Sequence, residues 1–242
     1  VRCWFAIAVL TVTGCGGNAL RGNADLRLAE LIATRSAKPD VVLPLLADDV
    51  VVHRAEAKDS VKGAQAAAAQ LAEVSPGAKT RVMRHHDVTA LMLDDGRVLF
   101  IQRNEEDHVT RAVELRGPMP GDGRSWQNLY YDRAWNLDDP TARLALLRAA
   151  WTQEGRYVDA TNDHHGPEAI GTMIGVIRQI FTGTQVTALT GSADNGDGWY
   201  TFDWEMRSRL GGRVLFRGFD IVHVTASGSF ELLAGFPGER KP

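Results

Sequence analysis

At 242 residues and 44% hydrophobic content, the chain can bury one large core or two of ordinary size. Its 27 basic and 30 acidic residues leave a formal net charge of −3 and are spread along the sequence, so there is no electrostatic footprint for nucleic acid. The two cysteines, Cys3 and Cys15, both lie at the start of the chain, so packing rather than an internal disulfide must hold the fold.

Arg2 precedes an apolar run, Cys3–Val12, which the small residues Val12-Thr13-Gly14-Cys15 close. A run of this length is too short to cross roughly 30 Å of hydrocarbon, which takes about 20 residues, but it suits the core of a signal peptide. The tetrad resembles the bacterial lipoprotein signal, in which the cysteine is diacylated and becomes the first residue of the mature chain. That resemblance implies a bacterial, exported protein with residues 1–15 as its signal, held at the membrane of the cell envelope through a lipid on Cys15. The competing reading is a buried N-terminal strand or helix with an incidental cysteine. The polar, glycine-rich stretch 16–23 reads as a tether and favours export.

Asp25 is placed to cap a helix through Leu28, Leu31 and Ile32, and Asp40 to start a shorter apolar segment ending at Ala47. Val50–Val52 reads as a short strand and the alanine-rich Gly63–Leu71 as a helix. After the Pro76-Gly77 turn come three strand candidates, Arg81–Leu93, Arg97–Asn104 and His108–Arg116, with Asp95-Gly96 as a hairpin turn. Helices followed by an antiparallel meander predict an α+β domain over 24–117. The run Gly117-Pro118-Met119-Pro120-Gly121-Asp122-Gly123 breaks both periodicities and places a linker at 118–124.

A second domain is expected over 125–238. Trp126, Leu129, Tyr130 and Arg133 fall at helical spacing, so Ser125–Asn136 opens this domain as a helix. The alternative is that it supplies a last strand to the first domain. Asp139-Pro140 starts a helix whose buried stripe is Leu144, Leu147 and Trp151. Tyr157-Val158-Asp159 is the short strand and Pro167–Phe181 the long helix. Strands follow at Gln185–Thr190, Trp199–Arg207, Val214–Val224 and Phe230–Phe236, separated by Asn195-Gly196-Asp197-Gly198, Gly211-Gly212 and Ser227-Gly228. Along Trp199–Arg207, Tyr200, Phe202, Trp204 and Met206 alternate with polar residues, as a half-buried strand requires.

The two halves repeat one unit: LADDVVVHRA before VKGAQAA, and WTQEGRYVDA before HHGPEAI. With AWN, RYVDA, HGPEA, GFDIV and a terminal AGF, the second half resembles the SnoaL-like branch of the nuclear transport factor 2-like superfamily. The first half, through LADDVVVHR and GRVLFIQRNEE, is more weakly similar to the branch containing limonene-1,2-epoxide hydrolase. The resemblance implies two cone-shaped α+β domains, each with helices packed on a curved antiparallel sheet around an apolar pocket. Chemistry varies across that superfamily, so fold analogy does not give function.

Carried over position by position, the resemblance puts Asp159 where ketosteroid isomerases hold their general base. The oxyanion donors of those enzymes fall near Trp135 and Arg217, and neither is the family residue. SnoaL-type cyclases use a strand aspartate, for which Asp220 is the candidate. Asp220 and Arg217 are an odd number apart, so a regular strand points only one of them inward. In the first half Val52 and Arg54 replace the family's tyrosine and asparagine, while Arg103 and Glu105 keep the charge pattern with a longer acid. That copy is expected to be non-catalytic.

The resulting candidates are Asp159, His165 and Asp220 for proton transfer and Trp135, Tyr157, Trp204, Arg217 and Phe236 for ligand contact. Asp159 has the plainer alternative of capping its loop, and His165 of satisfying loop backbone. The pairs His85-His86 and His164-His165 face opposite ways on a strand with no third ligand at a sensible spacing, so no metal is expected. Without a phosphate loop or a nucleophile elbow, no cofactor is expected either. The leading expectation is a lipid-anchored protein binding a small apolar or aromatic molecule in its second pocket. The alternatives are a cyclase, isomerase or hydratase working through Asp159, and an interaction module whose domains pair within one chain or as a homodimer.

Overall fold

The computed structural model describes residues 23–55, 59–74, 80–93, 96–116, 130, 133–189, 193–194 and 196–238. The expected export signal with Cys15, most of the expected tether, the Pro76-Gly77 turn, Asp95, Asn195 and the expected 118–124 linker lie outside the described residues. The chain divides into two compact units, the division falling between Glu114 and Leu115.

In the first unit, α1 (Ala24–Ala33) and α2 (Pro39–Val42) precede β1 (Leu46–His53) and β2 (Val61–Lys62). Then come α3 (Ala64–Ala72) and the strands β3 (Thr80–His85), β4 (Val88–Leu93), β5 (Val98–Arg103) and β6 (Val109–Leu115). The strand order is β2-β1-β6-β5-β4-β3. Leu28, Ile32, Val42 and Leu71 from the helices pack with Leu91, Leu93, Leu99 and Ile101 from the sheet. Two expectations are corrected. Arg81–Leu93 is not one strand but a hairpin, turning at His86 with φ 51°; a histidine in the left-handed region gives no glycine signal. Asp25 does not cap α1: Asn23 holds that place, and Asp25 sits in the first turn, fully buried.

In the second unit, α4 (Pro140–Ala150) leads into β7 (Trp151–Val158) and β8 (Asp163–His165), and α5 (Gly166–Ile180) follows. The sheet is completed by β9 (Thr184–Ala188), β10 (Ala193–Asp194), β11 (Trp199–Ser208), β12 (Val214–Val224) and β13 (Phe230–Pro237). The order is β10-β11-β12-β13-β7-β8, with β9 also on β11. Asp139 caps α4 by accepting from the Thr141 N–H at 2.9 Å, as expected. Trp151, assigned from its spacing to that helix, instead begins β7. The alternation expected on β11 holds, because Phe202 and Met206 lie in the core with Tyr200 and Trp204 packed against it.

Both units are α+β, and both sheets are mixed rather than purely antiparallel. The first strand of each runs parallel to its last, β1 to β6 and β7 to β13. The pairing is irregular in the same way twice: Leu46 to Val51 spans Val109 to Arg111, and Trp151 to Arg156 spans Phe230 to Leu232. β1 and β7 even share one order of buried and exposed positions. At the second irregularity the chain has Gly155, where an added Cβ would lie 2.7 Å from the Phe230 carbonyl oxygen and 2.8 Å from the Trp151 ring. Gly155→Ala is therefore expected to destabilise the second unit by about 1–3 kcal/mol, read as a lower midpoint in urea unfolding.

Candidate functional site in the second unit

The site is built from the segment before α4 and from strands β7, β11, β12 and β13. Tyr130 and the turn Arg133–Asn136 are pinned to the sheet edge by one side chain. The Asn136 amide donates to the Val186 carbonyl at 2.7 Å, and its oxygen accepts from the Val186 N–H at 2.9 Å. Trp135 donates its backbone N–H to the Tyr130 carbonyl at 2.9 Å, a wide helical turn, and Arg178 donates to the Trp135 carbonyl at 2.8 Å. The described part of Ser125–Asn136 is thus helical and belongs to the second unit, because Tyr130, Ala134 and Trp135 all join its core. Tyr130 meets Trp135 edge-on at 6.2 Å, Trp151 at 5.6 Å and Phe230 at 5.3 Å. Trp151 Nε1 is buried with no hydrogen-bond partner among the described residues.

Two carboxylates face this aromatic cluster. Asp220 on β12 is 2% exposed and accepts from Trp204 Nε1 at 2.7 Å. The indole reaches it by lying across Gly218, where an added Cβ would come 2.6 Å from Trp204 Cε2. Asp159, just beyond β7, accepts from the Tyr157 hydroxyl at 2.8 Å on one oxygen. Its other oxygen accepts the N–H groups of Thr161 and Asn162, each at 2.8 Å, and the Asn162 amide at 2.9 Å. Asp159 is therefore the organiser of its loop. The two carboxylates meet at Gly235 on β13: the point where its Cβ would stand lies 3.3 Å from Asp220 Oδ1, 3.6 Å from Asp159 Cβ and 3.6 Å from Tyr157 Oη.

Both phenols stay protonated in this setting. Burial pushes the Tyr130 hydroxyl well above its ordinary range, and the charge of Asp220 adds to that. The Trp135 N–H partly offsets the rise, and the more distant Asp159 adds a further increment. Tyr157 is raised likewise, first by burial and then by Asp159. Tyr130 is thereby kept as a hydroxyl able to donate to a carbonyl or other acceptor oxygen, whereas the Tyr157 proton is already given to Asp159.

The corresponding place in the first unit is filled. One step beyond the pairs His53–Val113 and Val158–Ala234, matching registers align Arg54 with Asp159 and Glu114 with Gly235. Glu114 is 2% exposed and forms ion pairs with Arg54 and Arg97, while Arg54 also donates to the Gln70 carbonyl at 3.0 Å. Elsewhere in that unit Arg103 pairs with Asp25 at 3.4 Å, which Arg84 also reaches at 3.0 Å, and Thr89 donates to Asp25 at 2.6 Å. Glu105, expected to act with Arg103, is exposed.

Of the expected site residues, the structure brings together Asp159, Tyr157, Asp220, Trp204 and Trp135. It leaves out three. His165 is largely exposed, with Nε2 3.7 Å from Asp163, because it belongs to the edge strand β8. Arg217 points to the other face of β12, opposite Glu205, 3.5 Å from its carboxylate. Phe236, one residue past Gly235, also takes that other face and stacks on Phe219 at 5.2 Å. The parity conflict between Arg217 and Asp220 is thus resolved in favour of Asp220. Tyr130, Gly218 and Gly235 were not singled out. Tyr130 lay in a segment of ambiguous period, and a glycine inside a strand signals a close approach without saying to what.

No family model and no curated protein matches the chain, but solved structures do. A SnoaL-like family protein from Agrobacterium tumefaciens is 28% identical over 48% of this chain and 96% of its own, with a TM-score of 0.44. An NTF2-like protein of unknown function from an Exiguobacterium species is 22% identical over 47% of this chain and 95% of its own, with a TM-score of 0.34. A protein with a ketosteroid isomerase-like fold from Catenulispora acidiphila, solved in complex with trimethylamine, is 13% identical over 48% and 86%, with a TM-score of 0.38. The chain is similar to SnoaL-like and NTF2-like proteins, each match spanning about half of it.

The raised phenols give a pH signature with a defined sign. The folded state holds protons that unfolded tyrosines release near pH 10, so this contribution is complete below about pH 10 and is lost as pH rises through the folded values. Urea unfolding at stepped alkaline pH should show stability falling above about pH 10 in the wild type, and a shallower fall in Tyr157→Phe.

Proposed function

We propose that the second unit binds a small apolar or aromatic molecule carrying one polar group, with Trp135, Tyr157, Trp204 and Asp220 as its contacts. The convergence of Asp220, Asp159 and Tyr157 around the missing side chain of Gly235 supports this reading most directly. The apolar body of such a ligand would rest against the aromatic cluster, while its polar group would meet the Tyr130 or Tyr157 hydroxyl or the Asp220 carboxylate. Trp204 and Asp159 are only half-buried, so access is expected on their side. Among the described residues the first unit offers no comparable arrangement, its ion-paired Arg54 and Glu114 standing where the second has Asp159 and Gly235.

Naphthol, an aromatic body with one hydroxyl, is a suitable probe. Fluorescence titration of the full chain should show saturable binding that Gly235→Leu weakens by about tenfold or more, whereas His165→Ala leaves it unchanged. Equal binding by wild type and Gly235→Leu would sink the proposal.

A second reading is proton transfer next to a carbonyl. The observation favouring it is a buried carboxylate, Asp220, beside the Tyr130 phenol that is kept protonated, the elements of a base with an oxyanion donor. Asp159, which the sequence put forward as the acid/base, has its oxygens engaged by its own loop, so we assign the proton-transfer role to Asp220. Exchange of α-protons of a small cyclic ketone into deuterated water should then be lost in Asp220→Asn and kept in Asp159→Asn; the reverse pattern would return the role to Asp159.

We also propose that the chain is exported and anchored by a lipid on Cys15, a reading that rests on the Val12–Cys15 tetrad and the tether after it. Mass spectrometry of the mature protein from a bacterial host should find a diacylated N-terminal Cys15, and an unmodified cysteine within an intact leader would exclude the anchor.

A further inference from the structure

The second unit carries another concavity, outside its aromatic core. α5 has two stripes. Ile170, Met173, Ile174 and Ile177 face the core, while Gly171, Thr172, Gly175 and Gln179 line a groove of about 540 Å³ against α4. The glycines bring the helices close, since a Cβ on Gly171 would stand 3.1 Å from Leu147 Cδ1.

Within this groove Arg143 is 5% exposed, its guanidinium 3.6 to 3.9 Å from where a Cβ on Gly175 would be. Among the described residues that guanidinium makes no hydrogen bond and no ion pair. The acids around it are committed elsewhere. Asp138 is exposed and held by Arg178, whose Nε lies 3.0 Å away; Asp139 caps α4; Glu168 pairs with Arg148 at 2.7 Å. Burial pushes the pKa of Arg143 down and the neighbouring Arg178 pushes it further, with Asp138 and Asp139 offsetting only part. A guanidinium does not deprotonate in a protein, so the groove holds a largely buried cation with no direct ion-pair partner among the described residues, Asp138 and Asp139 relieving it only from a distance. Leaving such a charge unpaired is strongly unfavourable, and a planar fork of N–H donors matches an oxyanion with two oxygens.

We propose that this groove is a binding site for a small oxyanion of the carboxylate or phosphate class, with Arg143 as its bidentate partner and Arg178 and the Gln179 amide at its rim. The site is separate from the aromatic cup and does not depend on what the cup binds.

Isothermal titration of the full chain with inorganic phosphate and, separately, with acetate, at an ionic strength held constant with chloride, tests it. Saturable binding of at least one anion is expected, and which one binds identifies the class. Arg143→Met should weaken that binding by about tenfold or more while folding at least as stably as wild type without anion. Gly175→Leu, which covers the guanidinium and improves helix propensity, should abolish binding without unfolding the chain. Gly235→Leu, in the cup, should leave it unchanged. Undiminished binding in Arg143→Met or in Gly175→Leu, or no saturable binding of either anion by wild type, would overturn the proposal.

Discussion

The parallel pairing of the first strand of each unit with its last decides which side chains meet across each cup. That pairing, with the same irregularity near its start in both units, brings the residue after the first strand opposite one position on the last. In the first unit the two positions carry Arg54 and Glu114, and in the second Asp159 and Gly235. One backbone geometry thus carries a cup filled by an Arg–Glu pair in one unit and a cup with an aspartate facing a glycine in the other. The difference follows from side-chain volume and charge at two positions, not from any difference in topology.

The plugged cup shows how polar groups in such a place are made tolerable. Glu114 is almost fully buried, which is costly for a carboxylate unless cations and donors surround it, and Arg54 and Arg97 supply both. The second unit has a buried carboxylate too, Asp220. The Trp204 indole donates to it, and the charge of Asp220 helps keep the buried Tyr130 phenol protonated, while the Tyr157 hydroxyl is given to Asp159. Neutral donors compensate a carboxylate less completely than guanidinium groups do.

Much of this architecture was legible in the sequence, because both helix and strand periods were strong and the repeat located equivalent positions. The mismatch between Arg54 and Asp159 was visible from alignment of the two copies alone. What escaped was set by contacts distant in sequence. The hairpin at His86 gave no sign, since a histidine in the left-handed region looks like any strand residue in a period-two count. Trp151 fitted a helical stripe, yet its partner on Phe230 in the sheet decided otherwise. The strand face of Asp220 could be reduced to a parity choice but not chosen. Packing against Trp204 made the choice, and Gly218 permitted it by leaving room for the indole.

The helix α5 carries the same logic to a second surface. Its inward stripe of isoleucine and methionine is what any helix on this sheet requires, and it says little about function. Its outward stripe contains Gly171 and Gly175, residues that lower helix propensity by about 1 kcal/mol each in an interior position. A solvent-facing stripe gains nothing from glycine, but a close approach of α4 does. That approach is what buries Arg143, whose cation could otherwise have remained in water on a long, flexible side chain. Two helix-weakening residues and a largely buried guanidinium are both unfavourable by themselves. A bound oxyanion would recover the second of these, which is the physical ground for assigning the groove a ligand.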